Sequence, residues 1–267
     1  MPEGPEVRRF GLDLAKSVSN RKLLSVKIMS GRYVKNLPEG FEEFCDACPL
    51  TILAVGVHGK FLYWLLEDER SVWNTLGMSG QWSMSPTKHA RAEFRLDEFS
   101  IYYNDTRNFG TLKFVQGKVP LIEKLESMGP DLLSEPCDDE VFKQRIRTKI
   151  TKTVAQAIMD QGVVAGVGNY IKSDSLWLAG ISPHRKVSTL TDIDLVRLNQ
   201  AIRTIMVSSF ESGGATIRSY RNLNGNSGEY GSKFLAYNRK VDEDGNEIIK
   251  EKTKDGRTTH WSPVRQR

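Results

Sequence analysis

The sequence predicts an α+β protein of more than one domain: a β-sandwich or barrel in the first half, helices in the second, and a hairpin near the C-terminus. Short apolar or alternating runs recur at 24–29, 51–57, 61–66, 72–76, 91–96, 100–103 and 111–114, separated by turn residues. Strands that short and regularly spaced build sandwiches and barrels. After Met128-Gly129-Pro130-Asp131 the apolar period changes to three and four residues, which is the helical signature. With 267 residues, 39% of them hydrophobic, the chain can form one large core or two modest ones.

The elements follow in order. Residues 5–18 read as a helix, with Pro5 at the first helical position and Val7, Phe10 and Leu14 on one stripe. Such a helix holds the N-terminus on a packed element instead of letting it fray. In the strand region, His58-Gly59 is the turn between two runs, so Lys60 sits on a hairpin tip. An acidic, Pro-containing stretch follows Gly129-Pro130 and marks the domain boundary. Helices are predicted over 152–161, 169–179 and 192–210, the last with Leu195, Leu198, Ile202 and Ile205 on one face and Gly213-Gly214 as its stop. In the Gly-, Asn- and charge-rich tail, 234–239 and 247–252 read as the arms of a hairpin around Asp244-Gly245. The division is a sandwich domain 1–128, a linker 129–140, a helical domain 141–230 and a terminal hairpin 231–267.

The net charge is +5, an excess suited to a polyanionic partner. From Gly214 onward there are 11 Lys or Arg against 7 Asp or Glu, so most of that charge lies in the last fifth of the chain. A second basic cluster, Arg145, Arg147, Lys149 and Lys152, is either a solvated face or a contact to that polyanion, with Lys149 the candidate ligand. No apolar run is long enough for a membrane span, and the N-terminus lacks the pattern of a secretion signal. The expectation is an intracellular monomer without membrane contact. Three cysteines, Cys45, Cys48 and Cys137, are an odd number that suits reduced thiols. Cys45 and Cys48 have the spacing of half a zinc site, but no second pair exists and the four histidines are scattered. No metal and no cofactor are expected.

The chemistry begins at the start, Met1-Pro2-Glu3-Gly4-Pro5-Glu6. Once the methionine is removed, Pro2 presents a secondary amine beside the Glu3 carboxylate. A terminal amine titrates near ~8, against ~10.4 for lysine, so a useful fraction is unprotonated at neutral pH and can form a Schiff base with a sugar carbon. The same residues also make an ordinary helix start. Gly166-Val167-Gly168-Asn169 joins two helical segments, so it is not a dinucleotide fingerprint, which must follow a strand. It is either a plain turn or a helix N-terminus whose free N–H groups, with Asn169, bind a phosphate. Asn104-Asp105-Thr106-Arg107-Asn108-Phe109-Gly110 sets an arginine and an aromatic two apart in a loop. That pair is either a surface Arg beside a buried Phe or a wedge that fills the gap left by an extruded nucleotide.

These residues, with Gly59-Lys60, Leu76-Gly77-Met78-Ser79-Gly80, Gly129-Pro130-Asp131, Met159-Asp160-Gln161 and Gly256-Arg257-Thr258, occur in the order and spacing of the formamidopyrimidine-DNA glycosylase/endonuclease VIII family. The chain resembles that family over essentially its whole length. The resemblance implies an N-terminal β-sandwich flanked by helices, a helix-two-turns-helix domain, a C-terminal finger, and a cleft that holds damaged double-stranded DNA. It assigns the Schiff-base nucleophile to Pro2 and protonation of the damaged nucleoside to Glu3. Phosphate binding with β-elimination falls to Lys60, and phosphate binding with δ-elimination to Arg257. DNA contacts carry over to His89, Arg107 and Asn169, and the void-filling trio to Met78, Arg107 and Phe109.

Two departures stand out. The family's common finger holds zinc with four cysteines, whereas here Ser262 and Arg265 stand in the places of the last two and no cysteine follows Cys137. The finger resembles the zincless β-hairpin of some members, held by packing around Tyr237 and Trp261. Asp174 stands where many members carry a glutamate. The opening residues resemble endonuclease VIII members, which favour oxidised pyrimidines, while residues 213–237 are similar in layout to the loop that caps oxidised purines. The implied activity is a bifunctional glycosylase/lyase acting on oxidised pyrimidines and formamidopyrimidines first, with 8-oxoguanine as a further substrate. The alternatives are a DNA-binding protein of the same fold without catalysis, and a zinc-finger regulator, which the ligand count disfavours.

Overall fold

A computed structural model describes residues 2–134, 138–215 and 230–267. The chain separates into two compact units, one built around residues 6–126 and the other around 127–215 and 230–267, with Glu3–Pro5 grouping with the second.

In the first unit α1 (Gly4–Val18) turns Val7, Phe10, Leu14 and Val18 into the core, each essentially inaccessible. These positions recur at three- and four-residue steps, which is why the stretch forms one helix with one apolar stripe. Strand β1 (Lys22–Ile28) follows, then α2 (Phe41–Asp46). Six more strands run β2 (Leu50–His58), β3 (Phe61–Leu66), β4 (Arg70–Thr75), β5 (Gly80–Ser83), β6 (Ala90–Leu96) and β7 (Ser100–Asp105). Strand β8 (Thr111–Gln116) and helix α3 (Lys118–Glu126) close the unit. All pairings are antiparallel, in the order β5-β7-β6-β1-β2-β3-β4-β8. β1 and β2 pair only at Lys22 with Thr51 and Leu23 with Leu50. The narrow junction lets the two four-stranded halves share one apolar core, which includes Trp64, Trp82 and Phe94. This is the predicted sandwich, since alternating strands can bury only one face each.

The seven strands predicted between residues 24 and 114 all occur, within a few residues at their ends. The sequence reading did not identify β5, whose four residues include the fully buried Trp82, nor α2, α3 or the helix Asp139–Arg147. Each of these elements is short, so periodicity has little to register.

In the second unit α4 (Asp139–Arg147) is capped by Asp138, whose side chain accepts from the Glu140 N–H. α5 (Val154–Met159) and α7 (Asp192–Glu211) each begin with a capping box, Thr153 with Gln156 and Thr191 with Asp194. α6 (Asn169–Leu178) lies between them in sequence and packs on α7. A two-stranded hairpin, β9 (Ile249–Lys252) with β10 (Thr258–Trp261), completes the unit, and β10 packs on α6.

The hairpin corrects the sequence reading. Its arms are not 234–239 and 247–252 around Asp244-Gly245, because pairing runs from Thr258 with Lys252 to Trp261 with Ile249. The turn at Gly245 exists, with φ near +83°, but it belongs to a loop closed by Asp242, which accepts from the N–H groups of Asp244 and Asn246. Residues 234–239 form no strand because three of their N–H groups are spent elsewhere, on the Asp174 carboxylate.

Cys45 and Cys48 lie in and just after α2 with burial pushing both thiols up, Cys48 to about 11. Among the described residues no cluster of His, Cys, Asp or Glu could hold a metal, and no helix is long and apolar enough to cross a membrane. Cys137 and most of the 213–237 loop lie outside the described residues.

Candidate functional site

The site builds from the N-terminus of α6. Glu3 is only 3% exposed, and its carboxylate accepts the backbone N–H of Tyr170 at 3.0 Å and of Ile171 at 3.3 Å. Those are first-turn donors that a helix cannot satisfy internally, and the helix dipole favours an anion there. Gly4 donates its N–H to Gly166 at 2.9 Å and fixes the chain beside it. Gly168 explains part of the glycine pattern: a Cβ there would lie 2.2 Å from Glu3 Cδ. Of the two readings of this turn, a plain turn or a phosphate-binding helix start, the second loses two of its donors, because the Tyr170 and Ile171 N–H groups are taken by the protein's own carboxylate. Pro2, half-buried, is the covalent neighbour of Glu3.

Gln161 holds the turn that precedes α6. Its Oε1 accepts the Gly166 N–H at 2.9 Å and its Nε2 donates to the carbonyls of Met159 and Val167, both at 3.1 Å. Asn169 donates to the carbonyl of Thr258 at 2.7 Å, tying the helix start to β10. Arg257 is exposed on the turn between β9 and β10. Lys149 forms an ion pair with Asp160 at 2.7 Å, and that contact holds the Asp160 carboxyl below its ordinary range despite burial.

In the first unit Lys60 occupies the tip between β2 and β3, next to Gly59 at φ near +59°. Two loops are locked together beyond it. Asp105 is buried, and its Oδ1 accepts from Ser79 Oγ at 2.5 Å and from the Arg107 N–H at 3.2 Å, while Oδ2 accepts the Gly110 N–H at 2.7 Å. Ser79 Oγ also accepts the Arg107 N–H at 2.8 Å. Gly77, at φ near +60°, packs so closely that a Cβ would lie 2.8 Å from Gly110 N. Arg91 adds bonds to the carbonyls of Asp105 and Thr106. On this frame Met78 is 37% exposed and Phe109 57% exposed, with the Arg107 guanidinium 5.0 Å from the Phe109 ring centre. The alternative of a buried Phe109 is thus excluded. His89 precedes β6, and its carbonyl accepts the Asp105 N–H at 3.0 Å. Asp105, Ser79, Arg91 and Gln161 were not singled out from sequence, although each lies in or beside a motif that was.

Zinc does not fit the finger. Arg265, in a ligand place, stacks its guanidinium 3.7 Å from the Trp177 ring centre and pairs with Asp244 at 3.1 Å. A cationic side chain cannot ligate the metal. Ser262 is fully buried, and its N–H donates to Gln266 at 2.8 Å. Packing holds the hairpin, but not as one cluster around Tyr237 and Trp261. Tyr237 meets His260 at 4.9 Å and Phe234 at 5.1 Å, whereas Trp261 meets His184 at 5.2 Å and donates to Glu251. His260 and Trp261 are successive strand residues and so face opposite ways.

Residues 1–112 match the formamidopyrimidine-DNA glycosylase N-terminal domain and 128–221 the formamidopyrimidine-DNA glycosylase H2TH domain. A formamidopyrimidine-DNA glycosylase of Parasynechococcus marenigrum is 31% identical over 286 aligned positions that cover 100% of both chains. The chain belongs to the formamidopyrimidine-DNA glycosylase family. The MutM (Fpg) protein of Thermus thermophilus superposes with a TM-score of 0.88 at 29% identity, covering 99% of this chain and 98% of that one. A Lactococcus lactis Fpg variant, crystallised with a Fapy-dG-containing DNA, gives 0.88 at 27% identity over 100% of both chains.

Proposed function

We propose that this family member, a DNA glycosylase of base excision repair, removes oxidised bases from duplex DNA and then cuts the strand at the abasic site, with the Pro2 amine as nucleophile. The observation that carries the reading is the seat of Glu3. A carboxylate buried against two backbone N–H groups stands one residue from the candidate nucleophile, and Gly168 clears its space. Backbone donors of this kind suit the ionised carboxylate, so Glu3 can take the proton that the Pro2 ammonium must lose before it attacks.

The chemistry then follows from the residue types. With the damaged nucleotide flipped out of the stack, Pro2 nitrogen bonds to C1′ and the glycosidic bond breaks. Glu3 returns a proton to the departing base or the opening ring, and an iminium links protein to sugar. Loss of a C2′ proton expels the 3′ phosphate, and loss of a C4′ proton the 5′ phosphate. Lys60 and Arg257 offset phosphate charge, while His89, Lys149 and Asn169 are the further proposed DNA contacts. Met78, Arg107 and Phe109 fill the gap in the stack, and their locked loops support that role because a preorganised wedge loses little freedom on binding.

Formamidopyrimidines and oxidised pyrimidines are the expected substrates, with 8-oxoguanine further down; the names of the relatives favour the first class. Borohydride trapping on abasic and single-lesion duplexes tests the reading. A covalent adduct that is lost in Pro2→Ala supports it, and trapping across a lesion panel ranks the substrates. Unimpaired cutting by Pro2→Ala, or activity in protein whose intact mass retains Met1, refutes the assignment. Lesion binding with no adduct in the parent chain would indicate the non-catalytic alternative.

A further inference from the structure

Lysine is among the residues least often buried, yet the Lys172 side chain, in the first half of α6, is 0% exposed. Its ammonium meets the Asp255 carboxylate, 4% exposed, at 2.5 Å. Desolvating both charges is costly, and an apolar pair can fill the same space at no loss of stability. What Asp255 touches gives the pair a purpose. While Oδ2 takes Lys172, Oδ1 accepts Thr253 Oγ1 at 2.6 Å and the Arg257 N–H at 3.2 Å. The turn is closed by Gly256 N–H to the Thr253 carbonyl and Thr253 N–H to the Arg257 carbonyl, at 2.9 and 3.0 Å.

The same helix grips the strand just beyond. Asn169 holds the Thr258 carbonyl, and Ser173 Oγ accepts the His260 N–H at 3.3 Å. Positions 169, 172 and 173 are three and four apart, so they share one face of α6. On the other side of Asp255, Gln156 donates to the Lys254 carbonyl at 3.1 Å. Arg257 is thereby bracketed by tethers at 254, 255 and 258, while its guanidinium stays exposed. One helix thus seats the Glu3 carboxylate on its N-terminus and the Arg257 turn on its side.

We infer that Lys172 and Asp255 are a positioning pair that fixes the Arg257 turn to α6, in a finger that has no metal to hold it, so that the second elimination depends on them. The inference rests on the proposed role of Arg257 and deepens it.

The test compares the parent chain with Asp255→Asn, Lys172→Met/Asp255→Asn, Arg257→Ala and Arg257→Ala/Asp255→Asn on a duplex with one abasic site under single-turnover conditions. The double neutralisation removes both charges and leaves no unpaired one behind. The expected result is that both pair variants lower the share of β,δ-product about tenfold, toward that of Arg257→Ala, with the borohydride-trapped adduct still forming within about twofold of the parent rate. Adding Asp255→Asn to Arg257→Ala should cost nothing more, since the two act as a unit. An unchanged product split, or losses that add, overturns the inference. So does loss of the folded far-UV spectrum in both pair variants, which would make the pair a general stabiliser. A parent chain with no adduct, or an Arg257→Ala variant with intact δ-elimination, would instead sink the underlying assignment and the inference with it.

Discussion

Replacing Gly168 by alanine isolates the seat of Glu3. The backbone at Gly168 is extended, φ −128° and ψ −154°, so alanine adds no conformational strain and acts only through the methyl group. That carbon would stand 2.2 Å from Glu3 Cδ and 2.4 Å from Oε1. The carboxylate must retreat by more than about 1 Å to reach ordinary contact distance, which breaks both bonds to the Tyr170 and Ile171 N–H groups. Hydrogen bonds to a charged group contribute roughly 1.5–3 kcal/mol each, and rehydration of the released carboxylate returns part of it. A net loss of about 2–4 kcal/mol is expected, read as a fall in Tm of about 2–4 °C per kcal/mol for a protein of this size. If Glu3 moves protons, single-turnover base excision should drop by about 10²-fold or more, well beyond the effect on DNA binding. Thermal unfolding and excision kinetics on a formamidopyrimidine duplex measure the two arms. A variant with parent Tm and parent excision rate would show that the α6 seat of Glu3 does nothing for catalysis.

Other outcomes are equally concrete. Burial pushes the Asp194 carboxyl up, but the Thr191 N–H and Arg197, with Thr191 Oγ1 and Arg185, outweigh it and bring it to about 2. A folded-state value below the unfolded one stabilises above pH ~4 and is lost as pH falls toward 2. Asp194→Asn should therefore cost about 1–2 kcal/mol at neutral pH, with the gap to the parent closing in acid; a gap that is constant with pH contradicts the capping-box account. Ser79→Ala removes one donor to Asp105 and one acceptor for the Arg107 N–H, about 1 kcal/mol each. Discrimination of lesion from undamaged duplex in a binding titration should fall roughly 5- to 10-fold, and no change would mean that the two loops are not coupled. Dialysis against EDTA should leave Tm and strand cutting unaltered, and a drop restored by zinc would disprove the metal-free finger.

Much of this was legible in the residues because it depends on local spacing. The Val7, Phe10 and Leu14 stripe forecast α1, and the turn at His58-Gly59 put Lys60 on a tip, since hairpin turns are chosen by a few neighbouring residues. The face of Leu195, Leu198, Ile202 and Ile205 likewise forecast α7. Other features depend on who meets whom. Phe109 as an exposed ring follows from Asp105 bonding Ser79, 26 residues back in the chain. The loss of a strand at 234–239 follows from Asp174, 62 residues before Ala236, taking its N–H groups.

The same division holds at the opening residues. By itself the sequence determined that Pro2 and Glu3 stand together at the start, that the finger lacks thiolates, and that the motifs follow the order of one family. These are facts of covalent order and residue type. Only the tertiary structure decided that the N–H groups of α6 hold Glu3 and are not left for a phosphate, and that a buried lysine on the same helix holds the turn of Arg257. Such pairings join residues 83 and 167 positions apart. No local pattern encodes them, because burial turns a weak surface charge into a strong constraint only after the chain has closed around it.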